Sequence, residues 1–102
     1  MSIKKQYLKS RPACKVTFRV PKDAANSARS INLVGDFNQW DYSATPMNQL
    51  KNGDFTAVVE LKTDKPEYQF RYLIDKSTWE NDWEADHYTH NGIDGDNSVI
   101  RV

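Results

Sequence analysis

Apolar and polar residues alternate in several short runs along this chain. The clearest run covers residues 68–74, where the side chains at 68, 70, 72 and 74 are all aromatic or aliphatic. A period of two places successive side chains on opposite faces of a β-strand. Five such segments are predicted as strands: 15–20, 31–35, 55–61, 68–74 and 98–102. Because polar turns separate them and none has a helical period, the pattern predicts an all-β antiparallel sandwich.

Two long polar segments interrupt the predicted strands. Residues 36–51 and 75–97 have no sustained period and are rich in turn-forming residues. Irregular segments of this length often carry the functional residues of a small domain. The chain of 102 residues suffices for one two-layer core. We therefore expect an N-terminal arm at 1–12 and a single β-sandwich domain at 13–102.

Charge and composition narrow the choice of ligand. The 14 Lys and Arg residues balance 14 Asp and Glu residues, so no basic excess favours nucleic acid or an anionic membrane as a partner. The sequence shows neither a signal-peptide core nor a membrane-spanning run, and we expect a cytoplasmic location. Cys14 is the single cysteine, which suits a reducing compartment. We expect its side chain to be buried beside a strand, where it packs as a small apolar group. These features favour a neutral ligand.

The three tryptophans lie in the irregular polar segments rather than on a predicted strand face: Trp40, Trp79 and Trp83. A pyranose ring presents a flat patch of C–H groups that stacks on an indole, while its hydroxyls need polar partners. By analogy with base stacking, one aromatic platform contributes about 1–3 kcal/mol. The alternative is that each tryptophan side chain packs into the core at the end of the sandwich, since Trp is usually well buried.

Arg71 is the second informative residue. Its position in the alternation directs it away from the face of Phe70 and Tyr72, and so toward the outer surface of the sheet. There, its five donors could bond adjacent sugar hydroxyls. An ordinary solvated charge is the alternative. The stretch Asp94-Gly95-Asp96-Asn97 likewise fits either a plain turn or a source of ligand contacts.

Catalysis and metal binding have little support in the residues. Glycoside hydrolysis needs two carboxyls about 5–9.5 Å apart across a sugar. A sandwich this small offers no cleft with a second wall on which the other carboxyl would stand. We therefore expect a solvated loop at the acidic run Glu80, Asp82, Glu84 and Asp86. His87 and His90 lack further ligands for zinc, and Asp94-x-Asp96 lacks the rest of a calcium loop. We expect no enzyme activity, no metal and no cofactor.

Several segments together resemble a known family. They are residues 31–41 (INLVGDFNQWD), 46–47 (PM), 53–55 (GDF), 68–75 (YQFRYLID), 79 (W) and 97–102 (NSVIRV). In this order and spacing they are similar to the glycogen-binding and early-set domains of carbohydrate-binding module family 48. That family includes the β-subunit module of AMP-activated protein kinase and the N-terminal domains of isoamylases and branching enzymes. The resemblance implies an immunoglobulin-like β-sandwich that binds an α-glucan.

The resemblance also implies which residues would contact sugar. Trp40 matches one of the family's two sugar platforms, and Trp79 matches the other. Arg71 matches the family's basic strand residue, which agrees with its predicted outward direction. Because this chain has one residue more than the family pattern between Asp75 and Trp79, Trp83 stays open as the second platform.

Three further residues complete the expected sugar site. Asn97 matches the family's asparagine before the closing strand, Ile93 matches an apolar residue that wedges against the sugar, and Gln39 stands beside the first platform. The sequence thus predicts a non-catalytic module for an α-1,4-linked glucan such as glycogen or starch. Two alternatives stay open: an interaction domain that docks on a partner protein, and an accessory part of a glycoside hydrolase family 13-like enzyme system acting on glycogen or starch.

Overall fold

The structure is a computed structural model that describes residues 1–25 and 27–102. Within these ranges, nine strands account for about half of the residues. They are β1 (Ser2–Tyr7), β2 (Ala13–Val20), β3 (Ile31–Gly35), β4 (Asn48–Gln49), β5 (Phe55–Lys62), β6 (Glu67–Ile74), β7 (Thr78–Glu80), β8 (His87–His90) and β9 (Asp96–Arg101). A four-residue helix, α1 (Lys22–Ala25), follows β2, and a 3-10 turn (Asp36–Asn38) follows β3.

The strands form two antiparallel sheets. The first has the order β1-β2-β5-β4, and the second has the order β3-β6-β9-β8, with β7 pairing to β6. The order of the first sheet and that of β3-β6-β9 are the orders of the two sheets of an immunoglobulin-like sandwich. The predicted fold class is therefore confirmed. The additional strands β7 and β8 lie in the connection between β6 and β9.

The core lies between the sheets, as the alternation predicted. On β2, the side chains of Val16, Phe18 and Val20 are fully buried. Phe70 on the facing sheet meets Phe18 edge to face, with 5.1 Å between ring centroids. The predicted burial of Cys14 is also confirmed. No helix within the described ranges is long and apolar enough to cross a bilayer.

The predicted strands all form, but three segments contain strands that the alternation of apolar and polar residues did not predict. Residues 2–7, which belong to the expected N-terminal arm, pair with β2 as an edge strand. The segment 75–97 was expected to be irregular and instead contains β7 and β8. The segment 36–51 contains β4. These strands are short or lie at a sheet edge with mostly solvated side chains. Because none of them has a fully buried face, their sequences show no alternation of apolar and polar residues.

The acidic run contains one buried carboxylate, which corrects the expectation of a wholly solvated loop. Asp82 is 0% exposed. Its carboxylate accepts hydrogen bonds from the Tyr72 hydroxyl at 2.7 Å and from the Glu84 backbone N–H at 2.8 Å, and its own N–H donates to Ser98 Oγ at 2.9 Å. Burial of the ring, together with the neighbouring Asp82 charge, raises the pKa of Tyr72 well above its ordinary value. This cluster anchors the β7–β8 connection to the core.

Candidate functional site

A shallow cleft of about 320 Å³ lies where the β3–β4 connection meets the β6–β9 connection. Five of the seven predicted sugar-contact residues line it: Trp40, Arg71, Trp79, Ile93 and Asn97. Three residues that sequence reasoning did not select as contacts complete the lining: Tyr42, Asn91 and Asp94. Tyr42 carries the same signal as the tryptophans, an aromatic residue in a polar irregular segment. Two distant parts of the sequence therefore build one cavity.

The structure does not bring Gln39 or Trp83 to this cleft. Gln39 lines a separate depression with Asp36, Phe37 and Tyr68. Trp83 is 61% exposed and directly follows the buried Asp82. Of the two candidates for the second platform, only Trp79 is placed beside Trp40.

Trp40 is held in an unusual backbone conformation. Gln39 and Trp40 both have positive φ, 56° and 58°, which is uncommon for bulky residues and costs on the order of 1–3 kcal/mol each. The Trp40 backbone N–H donates to the Gly35 carbonyl, and the indole Nε1–H donates to Asp36 Oδ1, both at 2.9 Å. The other Asp36 oxygen accepts from the Gln69 backbone N–H at 2.8 Å. With its N–H occupied, the indole has only ring surface to offer a ligand.

Asn38 and Gly35 fix the start of the same loop. The Asn38 side chain accepts from the Gly35 N–H at 3.0 Å and donates to the Leu33 carbonyl at 2.9 Å. A Cβ at Gly35 would lie 2.5 Å from the Gln69 carbonyl oxygen and 2.8 Å from Phe70 Cβ. Only glycine therefore allows β3 to approach β6 this closely before the chain turns toward Trp40.

Trp79 reaches the cleft through a tight turn between β6 and β7. Asp75 and Lys76 both adopt positive φ, 49° and 60°, and the chain reverses so that β7 pairs with β6 and Trp79 lies opposite Leu73. The Asp75 carboxylate accepts backbone N–H groups from Arg29 at 2.7 Å and Ser30 at 3.0 Å. These bonds secure the turn that positions the indole.

Arg71 is on the outer face, as predicted, but it is not freely solvated. Its guanidinium carbon lies 4.8 Å from the Trp79 ring centroid, and NH2 lies 3.2 Å from Asp94 Oδ1. The Arg71 side chain is only 13% exposed, and no acceptor among the described residues reaches its buried Nε. Arg71 therefore connects the indole on β7 to the loop before β9, and it keeps donor capacity beyond its contact with Asp94.

The loop 91–97 closes the other side of the cleft. Asn91 Oδ1 accepts the backbone N–H of Ile93 at 2.8 Å and of Asp94 at 3.0 Å, and its amide donates to Asp94 Oδ1 at 2.8 Å. The Asn91 hydrogen bond, and after it the Arg71 guanidinium, hold the pKa of Asp94 below its ordinary value against the effect of desolvation. This turn leaves the side chain of Ile93 91% exposed at the cleft edge.

Asn97 is nearly buried at 6% exposure, and its amide is already engaged. It donates to Gln69 Oε1 at 2.9 Å and accepts from Asn91 Nδ2 at 3.1 Å. A primary amide has two N–H donors and two lone pairs, so one of each remains for a ligand. Asn97 thus joins the strand surface at Gln69 to the loop at Asn91.

The arrangement suits binding of a neutral ring compound rather than covalent chemistry. Aromatic faces, an arginine and amide groups meet in an open cleft, which matches the apolar surface and polar rim of a sugar. Among residues 1–25 and 27–102, no group of three or more His, Cys, Asp or Glu side chains is placed to hold a metal ion. The fold and cleft are those of a small binding module.

Comparison with known proteins gives the family. The profile of carbohydrate-binding module 48, described as the isoamylase N-terminal domain, matches residues 11–89, and the chain belongs to that family. This module is a non-catalytic accessory domain that occurs in glycoside hydrolases. The matched range includes Trp40, Arg71 and Trp79, whereas Ile93 and Asn97 lie beyond it.

One curated relative is a much longer enzyme. Over 58 residues the chain is 34% identical to the 1,4-alpha-glucan branching enzyme GlgB of Aquifex aeolicus. The match covers 57% of this chain and 9% of that enzyme. The chain therefore spans only a small part of the length of this relative.

Proposed function

We propose that this chain is a non-catalytic module that binds an α-1,4-linked glucan of the glycogen or starch type, with Trp40 and Trp79 as sugar platforms. The observation that carries the proposal is the convergence of both indoles, Arg71 and Asn97 on one cleft. The first and last of these residues, Trp40 and Asn97, are more than fifty positions apart in the sequence. A strained backbone at Trp40 supports the proposal further, because such strain concentrates at functional sites.

The size of the cleft and the character of its contacts set the expected affinity. A volume of about 320 Å³ is at the small end of the range for ligand sites, so a short stretch of a glucan chain would lie in it and the rest would extend into water. Two stacked rings contribute about 1–3 kcal/mol each, and ordering of the chain offsets part of that gain. We expect dissociation constants of roughly tens of micromolar to millimolar.

The ionisable groups near the cleft favour binding over hydrolysis. Asp82 is buried and bonded to Tyr72, and Asp86 is paired with Lys5 at 2.7 Å on the edge strand β1. Neither carboxylate lines the cleft, and Asp94, which does, is paired with Arg71. Among the described residues that line the cleft, Asp94 is the one carboxylate, so no second carboxyl stands there to flank a sugar bond.

Affinity electrophoresis in gels containing glycogen or amylopectin tests the proposal. We expect wild-type migration to be retarded and Trp40→Ala to abolish the retardation. Trp83→Ala is the matched control, because it removes an equally large side chain that is exposed but outside the cleft. Retardation that survives Trp40→Ala and disappears with Trp83→Ala would refute the assignment of the cleft.

A second candidate is an accessory role in an α-glucan-processing enzyme, and the similarity to a branching enzyme favours it. In that role the module would hold the polymer near a catalytic domain. Incubation of the chain alone with maltoheptaose, followed by product chromatography, should show no hydrolysis or transfer above the blank. If electrophoretic mobility is the same with and without glucan, a protein-docking role becomes the better explanation of the exposed aromatic residues.

A further inference from the structure

Tyr42 is the most exposed aromatic side chain that lines the cleft. It is 62% exposed, whereas Trp40 and Trp79 are each only partly exposed. A single exposed aromatic residue is ordinary on a protein surface. Tyr42 differs because it lies in the same cleft as the two indoles, and its ring contacts one of them.

The ring of Tyr42 meets that of Trp79 nearly at a right angle. Their centroids are 5.2 Å apart, and their planes are inclined by 78°. The guanidinium of Arg71 also lies against the Trp79 ring, 4.8 Å from its centroid. Trp79 is therefore fixed by two neighbours, and Tyr42 adds a second aromatic surface in a different plane.

The backbone around Tyr42 is ordered by a local turn. Asp41 Oδ1 accepts the backbone N–H of Ser43 at 2.9 Å and its hydroxyl at 3.2 Å. The Asp41 N–H donates to the Asn38 carbonyl at 3.1 Å, and Asn38 is itself bonded to β3. The backbone is thus held on both sides of Tyr42, which lowers the entropy lost in ordering this loop when a ligand binds.

On the basis of the proposed function, we infer that Tyr42 is a third aromatic contact for the glucan and favours curved chains. An α-1,4-linked glucan curves, so consecutive rings present their faces in different directions. A β-1,4-linked glucan is an extended ribbon whose rings share one plane. Aromatic surfaces inclined by 78° can contact neighbouring units of the curved chain, whereas the flat chain can rest on only one of them.

Isothermal titration with maltohexaose and cellohexaose, which have equal length and opposite linkage, tests this inference. We expect Tyr42→Ala to weaken maltohexaose binding by about five-fold or more, and Tyr42→Phe to stay within about two-fold of wild type because the ring surface is kept. We expect wild type to bind cellohexaose more weakly than maltohexaose, and Tyr42→Ala to change cellohexaose binding by less than about two-fold. Tyr7→Ala is the matched control, since Tyr7 is 58% exposed on β1 and does not line the cleft.

The results for these variants distinguish failure of the Tyr42 inference from failure of the proposed function. If Tyr42→Ala binds maltohexaose like wild type while Trp40→Ala does not bind, the role of Tyr42 is refuted and the proposed function stands. If Tyr42→Phe is as weak as Tyr42→Ala, the hydroxyl is the contact and the stacking inference is wrong. If wild type binds neither sugar, the proposed function fails and this inference fails with it.

Discussion

Replacement of Arg71 tests the connection between the two halves of the cleft. Arg71→Met keeps most of the apolar stem but removes the planar cation that lies 4.8 Å from the Trp79 centroid and 3.2 Å from Asp94. A cation–π contact contributes about 0.5–1 kcal/mol when exposed and about 2 kcal/mol when desolvated. Because the Arg71 side chain is 13% exposed, a value toward the upper end applies.

The ion pair with Asp94 contributes less. The Asp94 side chain is 45% exposed, so solvent screens this ion pair. The cation–π contact therefore supplies most of the roughly 1–2 kcal/mol that orders Trp79 and the loop 91–97. If glucan binding requires that order, Arg71→Met should weaken binding about five-fold to thirty-fold by isothermal titration calorimetry.

Arg71→Lys tests whether the positive charge of residue 71 is enough without the planar shape of the guanidinium. The ammonium keeps a positive charge near the indole and one set of donors, although it lacks the planar fork. We expect binding of Arg71→Lys to lie between those of wild type and Arg71→Met. Circular dichroism should show that all three proteins are folded. Equal affinities in wild type and Arg71→Met, or no advantage of Lys over Met, would contradict the assigned role of Arg71.

Two further predictions concern the scaffold. Tyr72→Phe removes a donor from the buried Asp82 carboxylate and should lower the free energy of unfolding by about 1.5–3 kcal/mol in urea titrations. Because the folded-state pKa of Tyr72 is raised by its burial, wild-type stability should be fully present below about pH 10 and fall as pH rises toward the folded pKa. The variant should lose less stability over this range, with the remainder due to Tyr68, whose pKa is also raised by burial; identical alkaline profiles would contradict the reasoning. Gly35→Ala places a Cβ 2.5 Å from the Gln69 carbonyl oxygen and should cost roughly 1–3 kcal/mol and weaken glucan retardation in gels, whereas an unchanged melting temperature would show that β3 can move.

Sequence reasoning predicted the long strands well because each has one buried face. The alternation at 68–74 assigned Phe70 and Tyr72 to the core and Arg71 to the outer surface, and the structure has that arrangement. It did not predict β8, whose residues His87–His90 are mostly exposed at a sheet edge. A strand with little buried surface produces no periodic signal.

The residue types of the site could be predicted from the sequence, but which of the candidate residues line the cleft could not. Aromatic residues in polar segments marked Trp40 and Trp79, whereas Trp83, which carries the same signal, and Gln39, which adjoins Trp40 in sequence, lie outside the cleft. Backbone geometry places Trp40 and Trp79 there, namely the consecutive positive φ values at Gln39 and Trp40 and the turn before Trp79. Such conformations depend on tertiary hydrogen bonds, for example from the backbone N–H groups of Arg29 and Ser30 to Asp75, that a single sequence does not display.

The most direct test of glucan stacking is an NMR measurement of contacts between ring protons and sugar. With maltoheptaose bound, intermolecular nuclear Overhauser effects should connect glucosyl C–H protons to the indole protons of Trp40 and Trp79. The indole of Trp83 should show none, because it lies outside the cleft. Contacts confined to Trp83, or saturable binding without any contact to Trp40 and Trp79, would contradict the proposed site.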